Sequence, residues 1–203
     1  MATVGNLILR IRDRCVDVTS KAYGNALLIN IINEGQELYC LTSGAYQMIA
    51  NFTMDGTDDF VEFTYENCNN INFLRCLIIK CDNVGLSKAN IKEARDWNAV
   101  AGVPLGWHVF GSKGGDKKAY FDAIPANSKI IKVYIAGKPN DYTLIADTIE
   151  LDDTGIAALA AYGEYRLRVH DKEPALGIAA YEEFKTIRDS VSILVANNME
   201  DVD

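Results

Sequence analysis

Positive charge is in short supply. The chain sets 20 lysines and arginines against 28 aspartates and glutamates over 203 residues, for a formal net charge of −8. A broad footprint on nucleic acid needs the opposite balance, so tight wrapping of DNA is disfavoured, although a locally basic face is still compatible with the count. Long apolar runs are also missing: none approaches the ~20 residues of a membrane span. Histidine occurs only twice. Neither His108 nor His170 has a cysteine or carboxylate at metal-ligand spacing. The five cysteines, Cys15, Cys40, Cys68, Cys76 and Cys81, contain no C-x-x-C pair, and their number is odd. A disulfide framework or zinc site is therefore not expected, and buried, reduced thiols are. Residues 1–6 are not a charged n-region, and 7–11 are too short and too basic for a signal core. There is no G-x-S-x-G, no internal repeat and no low-complexity segment.

What is present is ordinary for a globular protein: 49% hydrophobic and 24% charged residues. A chain this long folds as one large domain or two small ones. It buries roughly 70% of its unfolded surface without needing a metal or disulfide.

Hydrophobic period divides the sequence into helical, strand-rich and helical parts. Val4, Leu7, Ile8, Ile11 and Cys15 recur at helical spacing behind a capping Thr3, with Arg10, Arg12 and Arg14 between them. A second helix is predicted over 23–41, with Leu28, Ile31, Ile32, Gly35 and Leu38 as its stripe. The period then changes. "YQMIANFTM" and "DFVEFTYE" read as a hairpin around "DGTD". "INFLRCLIIKCDN" reads as a largely buried strand, and "LSKANIKEARDWNAV" as a short helix capped by Ser87. "PLGWHVFG", "KKAYFDAIP" and "KIIKVYIAGKP" read as strands, the last closed by Pro139. Helices return after Asp152, Asp153 and Thr154, with Ile156, Leu159, Ala160, Gly163 and Leu167 as one stripe. Pro174 opens a final helix whose Ala180, Phe184, Ile187, Val191 and Leu194 step by four and three. The acidic stretch from Asn197 to Asp203 is expected to be loose. The predicted fold is α+β: a helical bundle formed by the N- and C-terminal segments, with an inserted, mostly antiparallel β module. Residues 1–45 hold the first bundle helices, 46–150 the β module with its short helix, and 151–203 the closing helices and acidic tail.

One stretch, "GSKGGDKK" at 111–118, invites a phosphate-loop reading. Gly106 and Gly111 have the separation of G-x-x-x-x-G-K-[ST], but Ser112 follows instead of lysine. The alternation of "AYFDAIP" then predicts a strand, not the helix whose N-terminus would hold phosphate. The stretch is read as a hairpin loop, with Gly114 and Gly115 supplying positive φ. Lys113, Lys117 and Lys118 are read as its solvated tip, available to an anionic neighbouring protein. Asp55, Asp58 and Asp59 lack the glycine and glutamate positions of an EF-hand and are read as a turn. Adjacent Glu182 and Glu183 are read as a solvated helix face.

The order of elements carries a resemblance. A basic amphipathic helix, "VGNLILRIRDRCVD", precedes an N-E-x-Q-type helix, "LLINIINEGQELYCLTSGAY". Then come "TMDGTDDFVEFTY", "FLRCLIIKCDNVGLSKA" and "WNAVAGVPLGWHVFGSKGGDKKAYFDAIP", which holds W-x-x-x-x-G-x-P. "VYIAGKP" and the closing "AAYEEFKTIRDSV" helix follow. Over nearly its whole length the chain resembles the head-to-tail adaptor (connector) proteins of tailed bacteriophages. The resemblance implies a structural protein of the virion neck, made in the host bacterial cytoplasm, not an enzyme, with no cofactor. It implies a ring of twelve copies under the portal that extends the DNA channel and attaches the tail or nozzle protein. Double-stranded DNA would pass the lumen without sequence-specific binding, and no membrane is involved. Net negative charge suits such a channel. A ring needs a heterologous contact that closes by rotation, for which Arg10, Arg12 and Arg14 are candidates. Family members dock on the portal through C-terminal extensions, which here points to Met199, Glu200, Asp201, Val202 and Asp203. The competing readings are another tail-completion or receptor-binding virion component, and an enzyme motivated only by the lysine–glycine loop.

Overall fold

The computed structural model describes residues 2–15, 23–68, 71–111 and 117–200. In chain order the helices are α1 (Val4–Arg14), α2 (Asn25–Ser43), α3 (Ile91–Arg95), α4 (Asp153–His170) and α5 (Pro174–Glu200). The strands are β1 (Gln47–Thr53), β2 (Phe60–Phe63), β3 (Asn72–Cys81), β4 (Val84–Gly85), β5 (Ser87–Lys88), β6 (Val100–Ala101), β7 (Gly106–Gly111), β8 (Lys117–Phe121), β9 (Ala123–Ile124) and β10 (Ile130–Lys138). The protein is α+β. Helices from both chain ends form one compact unit, Met1–Tyr46 with Lys138–Asp203, and a mostly antiparallel β unit, Gln47–Gly137, is inserted between them.

In the helical unit, capping follows the sequence. Thr3 Oγ1 accepts from Asn6 N at 3.3 Å, and Asp152 Oδ1 accepts from Gly155 N at 2.8 Å. α2 stops at Gly44, whose φ of 68° suits a residue without Cβ. Two glycines let helices approach closely. A Cβ on Gly163 of α4 would lie 2.5 Å from Ile11 Cδ1 of α1, and one on Gly35 of α2 would lie 2.7 Å from Tyr162 Cδ1 of α4. The core between these helices holds Leu7, Ile11, Leu28, Ile32, Leu159, Leu167 and Phe184, none more than 1% exposed. Each such side chain contributes roughly 1.5–3 kcal/mol by leaving water.

Residues 138–150 fold with the helices, so the insert is shorter than the 46–150 expected. Asn33 of α2 grips Tyr142 through paired bonds of 3.0 and 2.9 Å, and Val4 N donates to Asp147 O at 2.9 Å. These polar groups replace a strand ladder as the anchor of an extended segment.

The β unit stacks two four-stranded sheets, ordered β1-β10-β3-β4 and β2-β8-β7-β5, beside a two-stranded pair β6-β9. Ala50, Ile79, Ile131, Val133 and Ile135 of one sheet meet Val61, Phe63, Trp107, Ala119 and Phe121 of the other in one core. Phe63 bridges them, stacked on Phe73 at 4.4 Å and edge-on to Phe52 at 6.1 Å. The expected hairpin of the first two strands does not form. β1 pairs antiparallel with β10, and β2 pairs with β8 in the other sheet. The turn itself is real: Asp55 Oδ1 accepts from Thr57 N at 2.8 Å, and Gly56 has φ 84°. It redirects the chain from one sheet to the next. Ser87 is also corrected. It lies in β5, and α3 is capped by Asn90 in a capping box, with Asn90 Oδ1 3.1 Å from Glu93 N and Glu93 Oε2 3.2 Å from Asn90 N. A tight β3–β4 hairpin turns on Asp82 and Asn83, with φ of 47° and 72°, the pattern of a type I′ turn.

Candidate functional site

β7 and β8 pair antiparallel from Trp107↔Phe121 to Gly111↔Lys117, so a strand follows the glycine–lysine loop, as its alternation predicts. Residues 112–116, including Lys113, Gly114 and Gly115, lie outside the described residues. Lys117 and Lys118 are not tip residues. Lys117 opens β8, with Nζ 3.4 Å from Leu74 O and 4.9 Å from the Phe73 ring centroid. Lys118 pairs with Glu62 at 3.2 Å and lies 4.2 Å over Phe60. Cross-strand register brings these groups together, since Phe63↔Lys117 and Glu62↔Lys118 face each other. Both ammonium groups therefore have partners within the β unit.

The arginines of α1 are similarly occupied. Arg12 is 8% exposed and donates to Tyr23 O at 2.8 Å and Asn25 Oδ1 at 2.9 Å. Arg14 spans Glu164 at 2.8 Å and Glu183 at 2.5 Å. Glu183 is thus an internal partner and not merely a solvated residue, while Glu182 pairs with Lys185 at 3.0 Å. Of the three arginines offered for contact between copies, Arg10 is the exposed one.

The histidines and thiols are placed for structure. His108 lies in β7 with Nδ1 2.9 Å from Ala89 O; a carbonyl only accepts, so Nδ1 carries the proton. His170 ends α4, edge-on to Tyr23 at 6.0 Å. Burial pushes the thiols of Cys15 and Cys68 up to about 11 and those of Cys40 and Cys76 up to about 12. Such thiols stay protonated at neutral pH and are poor nucleophiles and ligands. All five cysteines are free. Among the described residues no group of three or more His, Cys, Asp or Glu is placed to hold a metal ion, and no helix is long and apolar enough to cross a membrane.

At the chain's end, α5 continues to Glu200, so the stretch from Asn197 begins as helix. No proline or glycine interrupts 178–200. Asp201, Val202 and Asp203 lie outside the described residues, while Met199 and Glu200 close the helix. The apolar stripe of α5 is only half covered. Ala180 and Phe184 are buried, but Leu194 is 60% exposed. α4 and α5 run antiparallel, with Tyr165 against Tyr181 at 4.6 Å and Tyr162 against Phe184 at 5.2 Å. Along that pairing the start of α4 at Asp153 falls level with Ile193, so Leu194 lies where α4 has ended.

A concave feature lies in the β unit. A cleft of about 580 Å³ runs between the β3–β4 turn, the loop after β6 and the segment after β9. Val84, Val103 and Leu105 line it at 66%, 74% and 71% exposed. Its charged lining residues are all engaged. Lys129 pairs with Asp82, which also accepts from Ile130 N at 3.1 Å, and Asp55 holds its own turn. Hydrophobic periodicity does not single out these aliphatics. The available signal was "AGVPLG", where glycine and proline keep valine and leucine in a loop that cannot bury them.

No family model matches the chain, and a search of curated proteins gave no significant match.

Proposed function

We propose that this chain is a virion structural protein: a head-to-tail adaptor that forms a twelve-copy ring under the portal, extends the DNA channel and presents the attachment surface for the tail or nozzle protein. The reading rests on one observation, the order of elements along the chain. Two helices, a β unit and two closing helices follow in the order of that family, with both chain ends meeting in one helical unit. Net charge of −8 supports a lumen that passes double-stranded DNA without holding it. The adaptor acts by assembly and needs no catalytic group or cofactor. Its portal contact is assigned to the end of α5 and the acidic residues after it, Met199 to Asp203. Repetition around a ring makes a weak contact strong. Electron micrographs of the purified protein mixed with its portal test this. The expected image is a ring capping the portal; free portal beside unbound protein overturns it. The exposed cleft favours a second reading, a tail-completion or receptor-binding component. That reading predicts binding to host cells and none to the portal.

A further inference from the structure

We infer that the cleft of the β unit takes an extended, uncharged aliphatic segment of a partner protein, which adds to the strand edges of β4 and β6. The inference does not depend on the adaptor reading. β4 is the edge of its sheet, and β6 lies in a pair of only two strands. Leu86 N donates to Ile79 O at 2.9 Å, so Leu86 and Val84 turn their main-chain groups toward β3. Alternation then aims the N–H and C=O of Gly85 out of the sheet. Likewise Gly102 N donates to Ile124 O at 3.0 Å, which aims the main-chain groups of Ala101 away from β9. Gly85 and Ala101 both line the cleft. A Cβ built on Gly85 would meet nothing within 4 Å, so the sheet face at that position is open to a side chain of the occupant. Such edges bind by strand addition, in which main-chain bonds give affinity and pockets for alternate side chains give specificity.

The lining sets the chemistry of the occupant. Val84, Val103 and Leu105 are the exposed aliphatics, and the volume of about 580 Å³ holds several side chains of that kind. Asp55, Asp82 and Lys129 are neutralised or bonded within the unit, so a charged segment would lose water and gain no counter-charge. The segments of this chain outside the described residues have the wrong composition. Asn69–Asn70, "SKGGD" at 112–116 and "DVD" at 201–203 are polar or charged, and "VDVTSKA" at 16–22 carries Asp17 and Lys21. None of these segments suits the cleft, so the occupant is assigned to another protein, with a second copy of this chain as the competing outcome of the test.

The test is a titration of the ¹⁵N-labelled full chain with a capped heptapeptide of alternating threonine and valine, and with a control in which glutamate replaces valine. Amide shifts confined to residues 84–86 and 100–105, with none from the control, are expected. Val103→Glu and Gly85→Pro should each weaken binding at least about tenfold. The first buries a charge under the occupant, and the second deletes the offered N–H without touching the bonds to β3. If Gly85→Pro does not fold, Val103→Glu decides alone, because its side chain is exposed. Shifts elsewhere, no shifts, equal binding of the control, or unweakened binding by Val103→Glu overturn the proposal. So does a dimer in sedimentation that Val103→Glu dissolves, since the occupant would then be a second copy. Failure of portal binding leaves it standing.

Discussion

Phe184 concentrates the stability of the helical unit: it is fully buried against Tyr162 and Tyr181. Phe184→Ala should cost about 3–5 kcal/mol, which lowers the melting midpoint by roughly 6–20 °C for a chain of this size. A calorimetric scan checks it. Gly163 makes a sharper test of packing. Alanine there gains helix propensity, yet its Cβ meets Ile11 at 2.5 Å. Overpacking should win by about 1–2 kcal/mol. Adding Ile11→Val removes the nearest methyl, so the double variant should recover part of the loss in a double-mutant cycle. Additive losses would show that the helices cross elsewhere. Single carboxylates shape the acid response. Asp147 is held below the ordinary value of 3.8 by the N–H groups of Leu144 and Thr143, and Asp82 by the Lys129 ammonium and then the Ile130 N–H. The unfolded chain binds these protons more readily. The stabilisation is therefore complete above the unfolded value and is lost as pH falls through the lower folded ones. The melting midpoint should hold from neutrality to about pH 5 and drop below about pH 4. Asp147→Asn, which keeps an acceptor oxygen, should flatten part of that drop.

Elements are legible where their signals are local. Thr3, Asp152 and Pro174 mark helix starts, and the stripes of α1 and α4 are buried as spaced. The alternation of "AYFDAIP" identifies β8 and with it the β7–β8 hairpin. Long-range pairing leaves no comparable trace. β1 and β2 flank a good turn, yet each finds its partner far along the chain, β10 and β8. A turn fixes where the chain bends, not which strand lies beside it. The helical cap of α3 is a different case. Asn90 and Glu93 spell the capping-box spacing, but the earlier Ser87 competes for the same role in the sequence and instead lies in β5. Asn90→Ala should cost about 1 kcal/mol and speed amide exchange in α3 alone. The cleft is illegible because its lining comes from separated segments that only the sheets assemble. The tip placement of Lys117 and Lys118 fails by register, since both fall inside β8, while Lys113 lies outside the described residues. Lys118→Ser should lower stability by less than about 1 kcal/mol, as half-exposed pairs such as that with Glu62 contribute little.

The whole molecule divides by connectivity. Every buried residue of the β core lies within Gln47–Gly137, so that segment should fold alone, with one cooperative melt and a β-type circular dichroism spectrum. A molten, uncooperative fragment would show that its core depends on the helices. Deleting 199–203 should leave the melting midpoint unchanged and abolish portal binding under the adaptor reading; a lowered midpoint would place those residues in the fold instead. The pairing Gln47↔Ala136 has a kinetic meaning beyond its hydrogen bonds. It brings the two ends of the insert side by side, a Cα separation of about 5 Å in an antiparallel ladder. Before the insert folds, α2 and α4 are joined by a slack tether, whose closure costs about 4 kcal/mol for a chain of that length. Once β1 and β10 zip together, that cost is already met, and the helices close as though joined by a short link. The insert then acts as a clasp that sets the order of events: strands first, bundle second. Val133→Ala, at a fully buried site of β10, should therefore slow bundle formation in stopped-flow refolding while leaving its unfolding rate nearly unchanged.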